Sequence, residues 1–382
     1  METNQVVLTD ISDIDAELSR LAAFKPDLVM VFGAVSFFES SRLSTALQWL
    51  FPGAAIAGCS TAGEIAMNQV HDNSCVVTAV KFERTHAAVH SIPILGMHDS
   101  FGAGERLGKQ MPADELAAVI VLGTGVAING SALVSGLRSA LPGNVSVSGG
   151  LAADGGAFKQ TWTLGPYGPA SNQIVAVGLY GKDVRLGYGS FAGWEPFGPA
   201  RKVTRCNENV LYELDEENAL DIYKRYLGEY AKTLPASGLL FPFEMLGKEQ
   251  QKSGVFRTIL GVDEAEGSLT LAGDIDPDGY LKLMHSSTEK LILGAETAAK
   301  SVLDTTPDVT GRNALAILVS CVGRKLVMGN RVDEEVKAVA TLLGRHTRIT
   351  GFYSNGEIAP SMSNGESRLH NQTMTITWIS ED

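Results

Sequence analysis

The tetrapeptide Gly-Glu-Ile-Ala occurs twice, in GCSTAGEIA at 58–66 and in GFYSNGEIA at 351–359. A carboxylate behind a glycine turn can accept from a ligand amine, because glycine permits close backbone approach. Glu64 and Glu357, with Ser60, Tyr353 and Ser354 beside them, form a candidate ligand-binding constellation. The same spacing has a second use, in which each carboxylate accepts from N–H groups of its own turn. Both uses stay open in the sequence. Cys59 adds a thiol in the first turn. A nucleophilic role needs a paired base and a depressed pKa, and no nearby residue supplies the base. The alternative is a small buried side chain packed under the turn.

Other chemistries find less support. The four cysteines are scattered with no C-x-x-C, which removes zinc ribbons and thioredoxin chemistry. GCSTAG is not a G-x-S-x-G elbow. GTGVAING at 123–130 follows a strand pattern but is not G-x-G-x-x-G, so dinucleotide binding is not expected. His86 and His90 are four apart in an alternating run, HAAVHSIPI, without a third metal ligand. Phe191, Trp194 and Phe197 are placed on a loop, where they line a pocket or pack on a sheet.

The elements around the repeated turn explain its recurrence. PDLVMVFGAV and GAAIAG are short apolar runs that read as buried strands, separated by a helix carrying Leu43, Ala46, Leu47, Leu50 and Phe51 on one face. NSCVVTAVKFE follows as a strand. Near the other end, NALAILVSCVG, RVDEEVKAVATLL, HTRITG and HNQTMTITWIS repeat that order. A weaker middle copy runs from LAAVIVLGTGV through NGSALVSGLRSAL and NVSVSGGLAADGG to SNQIVAVGLYG. Its Gly150 and Gly155 match the spacing of Gly58 and Gly63, its glutamate position falls on Gly156, and its nearest carboxylate is Asp154. Asn73, Asn172 and Asn371 each enter the last strand. The recurring unit is therefore strand–helix–strand–turn–strand. Between the second and third copies, 207–234 reads as helical, VFRTILGVDEAEGSLTLAGDI as a hairpin, and TEKLILGAETAAKSVLD as a helix. The expected fold is α/β, with two domains of mixed sheets and flanking helices, divided as 1–230 and 231–382. The repeated turns are expected around a common cleft.

Totals bound the function. A net charge of −12 argues against a nucleic-acid partner. The longest apolar stretch, LAAVIVLGTGVAI, is shorter than a membrane span, and the acidic start lacks a signal-peptide core. Scattered cysteines fit a reducing, cytoplasmic setting.

Several motifs, in order, resemble the FIST family of bacterial sensory proteins. GCSTAGEI, GGLAADG and VTRCNENVLYELDEENAL resemble its amino-terminal domain; SCVGRK, GFYSNGEIAP and LHNQT resemble its carboxy-terminal one. The resemblance implies a small-molecule ligand, a signal-transduction role and no enzymatic activity. It also implies a partner acting in trans, such as a histidine kinase, because no output domain is recognisable. On that basis Cys59, Ser60, Glu64, Asp154, Tyr353, Ser354 and Glu357 are the candidate ligand residues. NGSALVSGL and SCVGRKLVMGNRVDEEV are similar to free-standing members proposed to sense nitric oxide through haem b. For that subgroup His370 is the candidate axial ligand, against the alternative of a hydrogen-bonded structural histidine. An enzyme using Cys59 or the glutamate pair is the remaining class.

Overall fold

The computed structural model describes residues 1–306, 311–361 and 365–382. One pattern runs three times along the chain. The first pass is β1 (Glu2–Leu8), α1 (Ile14–Ala22), β2 (Leu28–Gly33), α2 (Val35–Glu39), α3 (Ser41–Leu50), β3 (Ala55–Ser60), a hairpin of β4 (Glu64–Ala66) and β5 (Gln69–His71), then β6 (Cys75–Lys81). The second is β7 (His86–Pro93), α4 (Ser100–Gln110), β8 (Leu116–Gly123), α5 (Gly130–Ala140), β9 (Ser146–Leu151), a hairpin of β10 (Thr163–Gly165) and β11 (Gly168–Ala170), then β12 (Gln173–Tyr180). The third opens with β13 (Val184–Phe191) and is interrupted. The interruption comprises β14 (Glu195–Asn207), β15 (Val210–Leu214), β16 (Glu217–Asn218), α6 (Ala219–Leu227), β17 (Phe243–Leu246), β18 (Lys252–Arg257), β19 (Ile259–Asp263), β20 (Ser268–Leu271) and β21 (Tyr280–His285). The pattern resumes with α7 (Thr288–Thr305), β22 (Ala314–Cys321), α8 (Val322–Met328), α9 (Asp333–Leu343), β23 (Thr347–Ser354), a hairpin of β24 (Gly356–Pro360) and β25 (Ser367–His370), then β26 (Met374–Glu381).

Each pass contributes four strands to a six-stranded mixed sheet built on one parallel pair: β2–β3, β8–β9 or β22–β23. The other two strands are a hairpin from another pass. β10–β11 completes the first sheet on β3, β24–β25 the second on β9, and β4–β5 the third on β23. The exchange is cyclic, so each pass pairs the otherwise open edge of a neighbour. The β-rich apolar runs become strands buried on both faces, as a covered parallel pair requires. A central core draws Phe32, Ala57, Leu122, Val177, Val319 and Phe352 from all three passes. Separate cores lie under the helices of each sheet. The interruption folds as an antiparallel eight-stranded sheet with its own core around Tyr223 and Leu269. Its strands come from both sides of residue 230.

The repeat holds, with corrected register. Gly58, Gly149 and Gly351 pair with Val31, Val121 and Leu318. A Cβ at any of the three would lie within 2.1 Å of the paired residue's carbonyl oxygen, which is why glycine recurs there. Gly149, not Gly150, is thus the middle equivalent. Val77 and Ile376 face the same pair of residues, Val31 and Leu318, so Gln372 rather than Asn371 matches Asn73. Both have positive φ, 55° and 64°. Gly63 takes φ +138°, as a tight turn before the glutamate predicts, whereas Gly356 does not appear among the positive-φ glycines. The expected helix over 207–234 is shorter, because 207–218 belongs to strands and their turns. Glu208, Asp215 and Glu216 adopt positive φ there and reverse the chain twice. Asn218 then caps α6 by accepting from Asp221 N–H.

Candidate functional site

The repeated turns do meet. Ala62 N–H donates to Tyr353 O, Ala153 N–H to Ser60 O and Asn355 N–H to Leu151 O, at 2.8, 2.8 and 3.2 Å. These six residues are equivalent by register, so the bonds form a closed ring among the three passes. The junction is dense. Ser60, Thr61, Ala152, Ala153 and Ser354 are all buried.

The two glutamates are also buried, and each is occupied by its own unit. Glu64 accepts from Thr61 Oγ1, Ser74 N and Ser74 Oγ. Glu357 accepts from Ser354 Oγ at 2.8 Å, Thr373 N at 3.0 Å and Thr373 Oγ1 at 2.8 Å. Burial raises the pKa of both, that of Glu357 to about 7. Strand pairing puts Glu64 opposite Phe352, Glu357 opposite Gly150, and Thr163 opposite Cys59. The middle counterpart of the glutamates is therefore Thr163, hidden in the sequence by a longer loop, and not Gly156. Its hydroxyl donates to Gln173 O, and the Gln173 amide donates back to Thr163 O.

The remaining sequence candidates have partners within the fold. Ser60 Oγ donates to Ala153 O and accepts from Trp162 N. Tyr353 donates to Glu335, in a buried cluster with Arg324 and Ser320. Asp154 accepts from the N–H groups of Phe158, Lys159 and Gln160. Cys59 lies in the central core, where burial pushes its thiol well up. His370 is enclosed on β25, with Nε2 3.2 Å from Ala359 O, and burial lowers its pKa to about 4. An axial ligand needs a ring nitrogen facing a space large enough for haem, and His370 is only 4% exposed within a packed strand pair, so it does not fit that role. Among the described residues no cluster of three metal-ligating side chains occurs. Trp194 is buried, with its indole N–H on Gln372 O.

Open space lies elsewhere, where the eight-stranded sheet covers the β8–α5 loop. The smaller of two cavities there reaches the carboxyl ends of the parallel pair β8–β9, while the larger lies along α5 and β25. A cavity of about 340 Å³ is lined by Ser131, Ser135 and Arg138 from α5 and by Arg257 and Asp274 from the inserted sheet's side. A smaller one of about 80 Å³ reaches Gly125, Asn129, Leu151, Gly273 and Asn355. Asn129 links the two bodies. Its Oδ1 caps α5 at Ala132 N, and its amide donates to Asp274 at 3.0 Å. Arg257 is buried and donates to two backbone carbonyls and, at 3.5 Å, to Ser131 Oγ. Burial lowers its pKa to about 10. Asn355 Oδ1 has no hydrogen-bond partner. None of Arg257, Asp274, Asn129 and Asn355 stood out in the sequence. The available signal was an arginine inside the apolar run VFRTIL.

Comparison with known proteins gives two family matches. The FIST N domain matches residues 27–217 and the FIST C domain residues 219–360. Among solved structures, a cyanuric acid hydrolase from A. caulinodans is 9% identical, aligned over 99% of each chain with a TM-score of 0.41. That likeness is too distant to carry a functional argument. No curated protein matches.

Proposed function

The chain belongs to the FIST family, and from that premise we propose that it is a ligand-binding module whose site is the cleft between the threefold core and the inserted sheet. FIST domains are sensory domains of signal-transduction proteins. The observation that carries the site is the 340 Å³ cavity lined by polar groups from both bodies. Cavities of this size with few convergent polar groups suit small ligands. A ligand touching both bodies favours one arrangement of them, and that differential affinity is what a partner can read. The partner we propose is a cytoplasmic histidine kinase acted on in trans. Among the described residues no helix is long and apolar enough to cross a membrane.

Binding rather than turnover is the reading we favour. The Cys59 thiol is buried and raised, and both glutamates are engaged by their own turns. Haem-dependent nitric oxide sensing gains no support from His370, whose ring is enclosed by packed strands.

Thermal-shift screening of small metabolites tests the site. Ser135 is exposed and lines the cavity, so Ser135→Trp blocks it without entering the core. A metabolite that binds the native state raises the wild-type melting temperature and leaves Ser135→Trp unmoved. Equal stabilisation of both proteins, or no response across the panel, sinks the cleft reading.

A further inference from the structure

Arg257 is a buried cation that hydrogen-bonds to no carboxylate; the Asp274 carboxylate is near enough to act on its charge but takes its own hydrogen bond from Asn129. Its five N–H groups meet three neutral acceptors: Asp274 O and Phe256 O, each at 3.1 Å, and Ser131 Oγ at 3.5 Å. Each terminal nitrogen therefore keeps one N–H without a partner. Two parallel N–H groups are the fork that holds a carboxylate through both oxygens. The guanidinium is held tightly. A Cβ at Gly273 would lie 2.9 Å from Arg257 Cζ, so glycine is what lets the backbone close over it. Ser131 and Ser135 line the same cavity, and so does Asp274. The other two arginines of the wall, Arg138 and Arg368, are paired with Glu366. That leaves Arg257 as the cation the cavity presents.

We propose that this cavity binds a small organic carboxylate, held by the Arg257 fork, with a neighbouring hydrogen-bond donor on the ligand directed to Asp274. The inference rests on the cleft being the ligand site. Asp274 decides between anions. A phosphate dianion would stand beside a carboxylate and be repelled, whereas a singly charged acid carrying an amine or hydroxyl meets both charges. The buried arginine then gains a carboxylate bonded directly to its fork.

The test uses acids and their amides, which match in shape and differ in charge. Glycine with glycinamide, L-lactate with lactamide, and benzoate with benzamide are titrated calorimetrically against the wild-type protein, with inorganic phosphate alongside. Expected is that glycine or lactate binds at least about tenfold tighter than its amide, a step of about 1.4 kcal/mol. Benzoate, lacking the donor, should be weaker than lactate. Arg257→Gln should erase the acid–amide difference. Arg257→Lys, which keeps the charge but loses the fork, should retain part of it and serves if the glutamine variant does not fold. Equal binding of acid and amide, phosphate binding tighter than every acid, or silence from all three acids overturns the proposal. A neutral metabolite that binds the wild type and is blocked by Ser135→Trp would end this inference while leaving the cleft reading intact.

Discussion

Among the described residues two arginines are buried, and they are treated differently. Arg324, on α8 of the third pass, donates to Glu335 through Nε and Nη2 and to the carbonyls of Ala192 and Leu291. Glu335 in turn accepts from Ser320 and Tyr353. Every charge there has a counterion and every carboxylate a set of donors. Arg257, in the cleft, has neutral acceptors only. The repeated core therefore uses its buried charge to lock strands and helices together, while the cleft leaves one cation to be completed from outside. The repeated glutamates fall on the first side of that contrast by geometry.

The largest expected effect separates the two arginines directly. Glu335→Gln leaves Arg324 buried without a counterion and should cost about 3–5 kcal/mol. Arg257→Gln removes a cation with no hydrogen-bonded counterion and should cost no more than about 1 kcal/mol. Urea denaturation of both variants measures this. Similar losses at the two positions would mean that Arg257 is a structural residue like Arg324.

Next in size is a pair of opposed pH effects on β24 and β25, where Glu357 and His370 stand opposite each other. Burial raises Glu357 from its ordinary 4.5 to about 7. The folded state then holds this proton more tightly than the unfolded chain. Its contribution grows as pH falls from about 7 to 4.5 and amounts to about 3 kcal/mol. Burial lowers His370 from 6.5 to about 4. The folded state resists that proton, so stability is lost as pH falls from 6.5 through 4, again by about 3 kcal/mol. In the wild type the two largely cancel. Glu357→Gln should uncover the histidine, giving a protein that melts progressively lower between pH 6.5 and 4. A variant whose melting temperature stays level across that range contradicts the assignment.

The sequence made the apolar frame legible because period and burial coincide there. The face of α3 was marked by Leu43, Ala46 and Leu47, all of which are buried. The fold class and the threefold repeat followed from the same signal. What it could not carry was register, since a glycine doublet such as Gly149-Gly150 offers two equal choices and only strand pairing selects one. It also could not show that the hairpins are exchanged, because pairing partners lie in other passes. The Asn-Glu-Asn and Asp-Glu-Glu turns of the inserted sheet read as helix in the sequence because charged residues fit an exposed helical face equally well. Arg257 stayed hidden for a related reason. An arginine in an apolar strand has no periodic signature, and its importance depends on Gly273 and α5 folding over it.

The smallest expected effect concerns Glu64, and the middle pass supplies its control. Thr163 occupies the equivalent position and, with Gln173, closes its hairpin through neutral hydrogen bonds alone. A carboxylate is thus not required at this place in the unit. Glu64→Gln keeps the side-chain length and one acceptor oxygen for Ser74 and Thr61, so it should cost only about 1 kcal/mol. Ligand binding at the cleft should be unchanged, because Glu64 is held inside the β4–β6 hairpin region by those two hydroxyls. Melting temperature and cleft-ligand affinity, measured on the same variant, decide between structural and binding roles. A protein of wild-type stability that no longer binds would make Glu64 a ligand residue after all, and the boundary between locked core and open cleft would have to be redrawn through the first pass.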